Sequence, residues 1–558
     1  MIQYTVGMGR IAGIVVAAVL IALPVSAATR LLTGAVVHGP SGPERAAVLI
    51  RDGRIAAVVD PMAADRLIGE VDGLEALPGC HIVPGLIDAH LHLAGYGAAL
   101  EQVDCAGLTS WEACVGRAAA RARELPAGAW VLGRGWDQNL WHGKAFPGRE
   151  ELDRRIPDRP VLLRRVDGHA AVANAAALEA AGIGPDTPDP PGGRLGRRKD
   201  GTLSGLLVDG AVELVRRAVP PPDAAVIERW ILRSARALAA RGLTQIGDAG
   251  TTAAELEVLL RLEREGRLPI RIWVMLDGTD DALLARWFAR GPLKTPGRMV
   301  RVGSVKLYAD GALGSRGALL GADYTDDPGN RGLAVTPLGR LRKVTMEASA
   351  AGFQVAVHAI GDEAVHRVLD VFEAVGPARC RRLRHRIEHA QTVRPEDVAR
   401  FARLGVTASV QPLHCIDDMP WAPDRLGPER ILWAYRWRSL LDAGVALAGG
   451  SDAPVASPDP LAGMLAAVTR QRPDGTPAGG WNPAERLTAG EALHLFTDWA
   501  ARASFSEGWC GAVAPGMAAD LTVLDGDPLA NGGRGAGRVR VERTVVDGID
   551  RFVAGEPR

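Results

Sequence analysis

The 558-residue sequence predicts an α/β protein. Its expected fold is a (β/α)8 TIM-type barrel, with an insertion after the first strand and a small β-sandwich built from both chain ends. Three observations predict this. Strand-like apolar runs alternate with helical patterns through the middle of the chain. Short alternating strands with Asp-Gly turns occur at both ends. Histidines, a lysine and an aspartate fall where the predicted barrel strands finish, the end at which such barrels carry their sites.

The first residues read as an export signal. Arg10 gives the positive end, residues 11–23 form an apolar and glycine run, and Val25-Ser26-Ala27 fits a small-residue cleavage site. Residues 1–27 are therefore expected to be a signal peptide, and the mature protein periplasmic or secreted. The competing reading is an uncleaved anchor, but the run is shorter than the roughly 20 residues that span a bilayer. Export would permit disulfides among Cys80, Cys105, Cys114, Cys380, Cys415 and Cys510. No C-x-x-C spacing occurs, which argues against a thiolate zinc site.

Next come alternating Val/Ile-rich segments at 30–37 and 46–59, with Arg51-Asp-Gly-Arg54 as a hairpin turn. Similar wording returns at 520–525 and 540–546, where Asp547-Gly548 is the turn. Residues 28–82 and 505–558 are thus assigned to one split β-sandwich domain, and 83–504 to the barrel. The barrel's first strand leads into Val83-Pro-Gly-Leu-Ile-Asp-Ala-His90-Leu-His92. The other seven are expected at 243–248, 270–276, 302–310, 353–360, 384–389, 406–411 and 445–452. Helical patterns at 253–265, 340–351, 363–375 and 395–404 lie between them. The gap after the first strand is too long for one connection. An inserted subdomain is therefore placed at about 96–241, with helices at 112–124 and 170–181 and a Gly/Pro-rich loop at 183–194.

Lys+Arg and Asp+Glu both number 65, so no net basic field invites nucleic acid or anionic lipid. Only Lys144, Lys199, Lys294, Lys306 and Lys343 occur, so a lysine inside an apolar strand draws notice. His90 and His92 leave a strand on one face, which makes half a metal site. Lys306, His358, His389 and Asp452 fall at the ends of the fourth, fifth, sixth and eighth predicted strands. Each has a plainer reading. His358 could be a core histidine, and His385 with His389 could be a helical pair. Asp452 could cap a helix, and Lys306 could simply pair with a carboxylate. Their convergence on one rim points to a metal site.

The set His90, His92, Lys306, His358, His389 and Asp452 resembles the amidohydrolase superfamily of metal-dependent hydrolases. The wording Pro-Gly-Leu-Ile-Asp-Ala-His-Leu-His, His-Ala-Ile-Gly-Asp, Arg-Ile-Glu-His-Ala-Gln and Gly-Ser-Asp-Ala-Pro-Val is similar to its amidohydrolase-3 branch, which includes N-substituted formamide deformylase-like enzymes. The resemblance implies two divalent metal ions, with zinc the expected identity. One would be held by His90, His92 and Asp452 and the other by His358 and His389, with Lys306, carboxylated on its amine, as the bridge. An unmodified lysine beside a single metal is the alternative. The resemblance further implies cleavage of an amide, formamide or cyclic amide C–N bond by a metal-activated hydroxide. Asp452 would take the proton and deliver it to the leaving nitrogen. Hydrolysis of an ester or carbamate, deamination, and a non-catalytic binding protein are the other readings. His169, in an Asp167-Gly168-His169 element that resembles one recurring in the family, Asp310, Trp136, Tyr308 and Gln411 are expected to face the substrate; the other readings are that His169 ties down the insertion, Asp310 braces the loop after the fourth strand, and the tryptophan is simply packed. Trp141 is a further candidate wall. The expected partner is a small amide-type molecule, with no nucleic acid, no membrane span after cleavage, and a homodimer as the candidate assembly.

Overall fold

The computed structural model describes residues 29–165, 170–190 and 193–556. The export signal expected at 1–27, and His169, lie outside the described residues.

Eight parallel strands form the central sheet: Leu86–Leu91, Leu243–Thr251, Arg271–Asp277, Val300–Tyr308, Gln354–Ala359, Arg386–His389, Thr407–Val410 and Leu447–Gly449. Each pairs with its neighbour in chain order. The sheet curls into a nearly closed barrel, and backbone bonds stitch its last segment to its first. The Asp452 amide donates to the His90 carbonyl at 2.7 Å, and the His92 amide to the Ala453 carbonyl at 2.9 Å. A side chain at Gly450 would fall 2.7 Å from the His90 nitrogen, so glycine there is a condition of closure.

The outer helices form where the sequence gives both an apolar stripe and an end signal. Helix Ala253–Arg264 opens on a Thr252/Glu255 capping box and buries Leu256, Leu259 and Leu262. Helix Pro395–Leu404 starts on a proline and stops at Gly405, whose φ of 67° is left-handed. Helix Leu93–Glu101 packs against Ala224–Ala239 so closely that a Cβ at Gly97 would lie 2.1 Å from the Trp230 carbonyl oxygen. Gly97→Ala should therefore force the two helices apart and lower stability by about 1–3 kcal/mol, measured by urea unfolding. An unchanged midpoint would mean that the contact is slack.

The end strands meet in one hydrogen-bonded sheet of eight, where the sequence suggested a sandwich. Strand Leu521–Leu524 runs antiparallel to His81–Pro84, which joins the two chain ends. Continuity follows from strands that are apolar on both faces. Leu32, Val48 and Ile50 face one core, and Leu31, Ala47 and Leu49 face another beside Ala64 of helix Pro61–Leu67. Both Asp-Gly turns have two left-handed residues, Asp52 and Gly53 at φ 51° and 71° and Asp547 and Gly548 at 52° and 71°. That conformation matches the strand twist. Buried Arg271 of the barrel pairs with Asp520 at 2.6 Å and also with Asp547, tying this sheet to the barrel.

The insertion has a six-stranded sheet of its own, with Val131–Trp136, Val161–Arg165 and Ala170–Ala173 among its strands. The helix Trp111–Glu124 covers it. The helix expected at 170–181 is corrected: Ala170–Ala173 is a strand, and only Ala175–Ala180 is helical. Pairing with Val161–Arg165 and Leu203–Asp209 on either side overrides alanine's helical preference. The break falls at Asn174, whose Oδ1 accepts from the Ala177 and Val161 amides and whose Nδ2 donates to Ile156 and Arg159. All six cysteines are free thiols. Among the described residues no helix is long and apolar enough to cross a membrane.

Candidate metal centre

The first barrel strand ends at Leu91, and His92 continues it in extended conformation before helix Leu93–Glu101. His90 and His92 therefore share a face, with ring centres 5.7 Å apart. Asp452 meets both from the turn after the last strand: its Oδ1 lies 3.3 Å from His90 Nε2 and 3.2 Å from His92 Nε2. His389 follows at 5.3 Å from the His90 ring, and His358 at 4.5 Å from the His389 ring.

Strand alternation alone would not aim His389 inward. Arg386 and Glu388 point into the barrel, where their side chains pair, so His389 should point out with Ile387. Its backbone is left-handed instead, at φ 70°, and so is that of Asp452, at φ 60°. Non-glycine residues in that region carry strain, and both are residues that this mouth needs in place.

Each imidazole is held by its other nitrogen. His90 Nδ1 contacts Glu388 Oε2 at 2.5 Å, His92 Nδ1 the Ala249 carbonyl at 2.7 Å, and His389 Nδ1 the Gln411 Oε1 at 2.8 Å. Protonation at Nδ1 leaves the Nε2 lone pair of all three free toward the mouth. His358 is reversed: its Nε2 lies 3.4 Å from the Gly311 carbonyl, which leaves Nδ1 as its lone pair. Buried His90 Nε2 and His414 Nε2 have no hydrogen-bond partner among the described residues. Nitrogen lone pairs and one carboxylate, each steadied from behind, make a donor set that suits a divalent transition metal.

The charges agree. Burial alone would raise the Asp452 carboxyl, yet His90 and His92 hold it well below the usual carboxylate range. Burial pushes Lys306 down to about 8, against the opposing pull of Glu388 and Asp452. Burial and Lys306 bring His358 down to about 3, so it is a neutral imidazole and not a cation. The Lys306 ammonium nitrogen lies 4.9 Å from the Tyr308 ring centre, and that ring is 5.8 Å from His358.

Three of the residues expected to face substrate make structural contacts. Trp136 is wholly buried in the insertion's core, packed edge-on against Trp111 and Phe146 and tilted against Trp141, and donates to the Leu163 carbonyl. It is a packing residue there, and Trp141, bonded to the Leu108 carbonyl, shares that cluster. Asp310 takes the bracing role that was its other reading: its oxygens accept from the Leu319, Ile360 and Gly361 amides, and its Oδ1 lies 3.5 Å from His358 Nε2. Gln411 orients His389, while its Nε2 has no partner among the described residues.

Several residues were not singled out from the sequence. His414 is half-buried, stacks on His389 at 6.0 Å, and places Nε2 4.0 Å from Asp452 Oδ2. With His389 and Asp452 it forms a second group able to hold an ion, beside His90, His92 and Asp452. No spacing marks His414, because it sits on a helix that follows the seventh strand. Asp88 and Glu388 were legible in principle, each standing beside a motif histidine. Asp88 accepts from the His90 and Ser451 amides, and Glu388 is bound bidentately by Arg386. Glu388→Gln should weaken metal affinity about 10–100-fold, read by competition with a chromogenic chelator. Wild-type affinity would mean that Glu388 serves only Arg386.

A family model described as the amidohydrolase family matches residues 74–549. The amidohydrolase-named YtcJ of Bacillus subtilis (strain 168) is 35% identical over 513 residues, covering 91% of this chain and 96% of the relative. N-substituted formamide deformylase of Arthrobacter pascens is 30% identical over 526 residues, covering 91% and 94%. Among solved structures, a metal-dependent hydrolase of Pyrococcus furiosus, described as uncharacterized, superposes with a TM-score of 0.75 at 31% identity, covering 90% of this chain and 100% of its own.

Proposed function

Because this chain belongs to the amidohydrolase family, we propose that it is an exported hydrolase of an amide, formamide or cyclic amide C–N bond, working with two divalent ions, zinc first among them. The observation that carries this reading is the meeting of His90 Nε2 and His92 Nε2 at Asp452 Oδ1, their other nitrogens held by Glu388 and Ala249, beside a His389 held by Gln411. His90, His92 and Asp452 would hold one ion, and His358 and His389 the other, with His414 at hand. Bound there, the ions supply Lewis acidity and ionise water near neutral pH.

The protein's own groups do the rest. Asp452, ionised between His90 and His92, accepts the proton of the attacking water and returns it to the leaving nitrogen. His414 stands beside the carboxylate's second oxygen. Tyr308 borders the mouth. Lys306, buried and easily deprotonated, would take up carbon dioxide, lose a proton and become a carbamate anion able to help hold the ions. Export rests on Arg10, the apolar run at 11–23 and Val25-Ser26-Ala27. Amino-terminal sequencing of the exported protein should begin at residue 28. The test of activity is a screen of zinc-reconstituted protein on N-formyl, N-acyl and cyclic amides, with esters and carbamates alongside. Turnover of amides supports the reading, turnover of esters alone moves the bond type, and no turnover on any of them favours a binding protein.

A further inference from the structure

A second cluster of metal-type ligands lies outside the barrel sheet, in the sheet made by the chain ends. His38 is the next-to-last residue of strand Thr29–Gly39, His81 begins strand His81–Pro84, and Asp527 follows strand Leu521–Leu524. His38 Nε2 faces His81 Nδ1 at 2.9 Å, and His81 Nδ1 lies 3.9 Å from Asp527 Oδ1. One atom of each residue falls within 4.8 Å of the other two. His38 is only 5% exposed, while the His81 and Asp527 side chains are 16% and 38% exposed. An ion could therefore enter from the Asp527 side.

From this geometry we propose that His38, His81 and Asp527 form a structural site for a zinc-type divalent cation that clamps the two chain ends together. Two imidazoles aimed nitrogen to nitrogen can share one proton, or both can turn a lone pair on a cation. At zinc–nitrogen bonds of about 2.0–2.1 Å, two ligands of one tetrahedral ion stand roughly 3.3 Å apart. The pair therefore has to part by only a few tenths of an ångström, and the carboxylate has to swing inward. Asp527 is already steadied, since its Oδ1 accepts from the Leu529 amide at 2.9 Å. Burial, and His81 beside it, hold His38 below its ordinary range, which keeps it neutral as a ligand must be. Water completes the coordination on the open side. The clamp would join three segments, and Pro84 at the end of the middle one leads through Gly85 into the strand that carries His90. It is independent of the barrel chemistry.

The test uses the full chain, stripped with chelator and titrated with zinc alone. Wild-type protein should bind one more ion per chain than His81→Ala or Asp527→Asn, counted by elemental analysis after gel filtration. Zinc should raise the wild-type unfolding temperature more than that of either variant. Any activity of the loaded enzyme should be unchanged in both. Asp527→Asn removes a ligand from a half-exposed loop without disturbing the strand pairing, so it remains informative if His81→Ala fails to fold. An equal ion count and an equal zinc response in wild type and Asp527→Asn would overturn the site and leave His38 and His81 as a hydrogen-bonded pair.

Discussion

Asp452→Asn should lower turnover by roughly 10²–10⁴-fold, the range lost with a proton-transferring group, while most of the bound metal stays. Asparagine keeps the size of the side chain and one oxygen acceptor in the place that now sees His90 Nε2 at 3.3 Å and His92 Nε2 at 3.2 Å. It loses the charge and the ability to carry a proton. Two measurements separate these roles: metal per chain by elemental analysis, and turnover at saturating substrate. Loss of turnover with metal retained assigns proton transfer to Asp452. Loss of both in proportion makes it a ligand alone, and full turnover removes it from the mechanism. The backbone adds a control. Asp452 sits at φ 60°, and asparagine tolerates left-handed conformations as well as aspartate does, so the variant should fold with its loop intact.

The barrel was legible because its signals are local and repeated. Eight apolar runs alternate with capped amphipathic stripes, and every barrel strand overlaps the run that predicts it. The insertion was harder to read. Its alanine-rich strand Ala170–Ala173 has helical composition, and only pairing with strands distant in sequence makes it extended. The histidines of the mouth were visible as residue types at strand ends. Their working geometry was not, because it depends on groups far away in the chain. His90 is oriented by Glu388, and His92 by the Ala249 carbonyl. His414 joins from a helix without any periodic signal. Trp136 shows the opposite error: a large aromatic near a predicted mouth suggests a pocket wall, yet its ring fills a separate core. Sequence position says little about which core a tryptophan fills.

Lys306→Met should be as damaging as the loss of Asp452, but through the metal instead of the proton. Lys306 lies on the fourth barrel strand, 1% exposed, with Glu388 and Asp452 acting on its charge and Tyr308 beneath its amine. Burial brings it down to about 8, so the neutral amine grows as pH rises through that value. Only the neutral form can add carbon dioxide, and the carbamate it gives is an anion able to join two cations. Three results are expected. Metal affinity in Lys306→Met should fall by more than about 100-fold, since removal of an orienting partner alone costs 10–100-fold. Reconstitution of the wild-type protein with zinc and bicarbonate should be faster at pH 8.5 than at pH 6.5, because the ammonium that blocks the reaction is removed above about 8. Lys306→Ala should regain metal and turnover when a short carboxylic acid is added, because the acid supplies the missing anion in the space left by the side chain. If Lys306→Met binds as much metal as wild type, and bicarbonate has no effect on reconstitution, the lysine is an ordinary buried cation. The mouth then holds its ions by histidines and Asp452 alone, and His414, already within reach of Asp452, becomes the residue to test in its place.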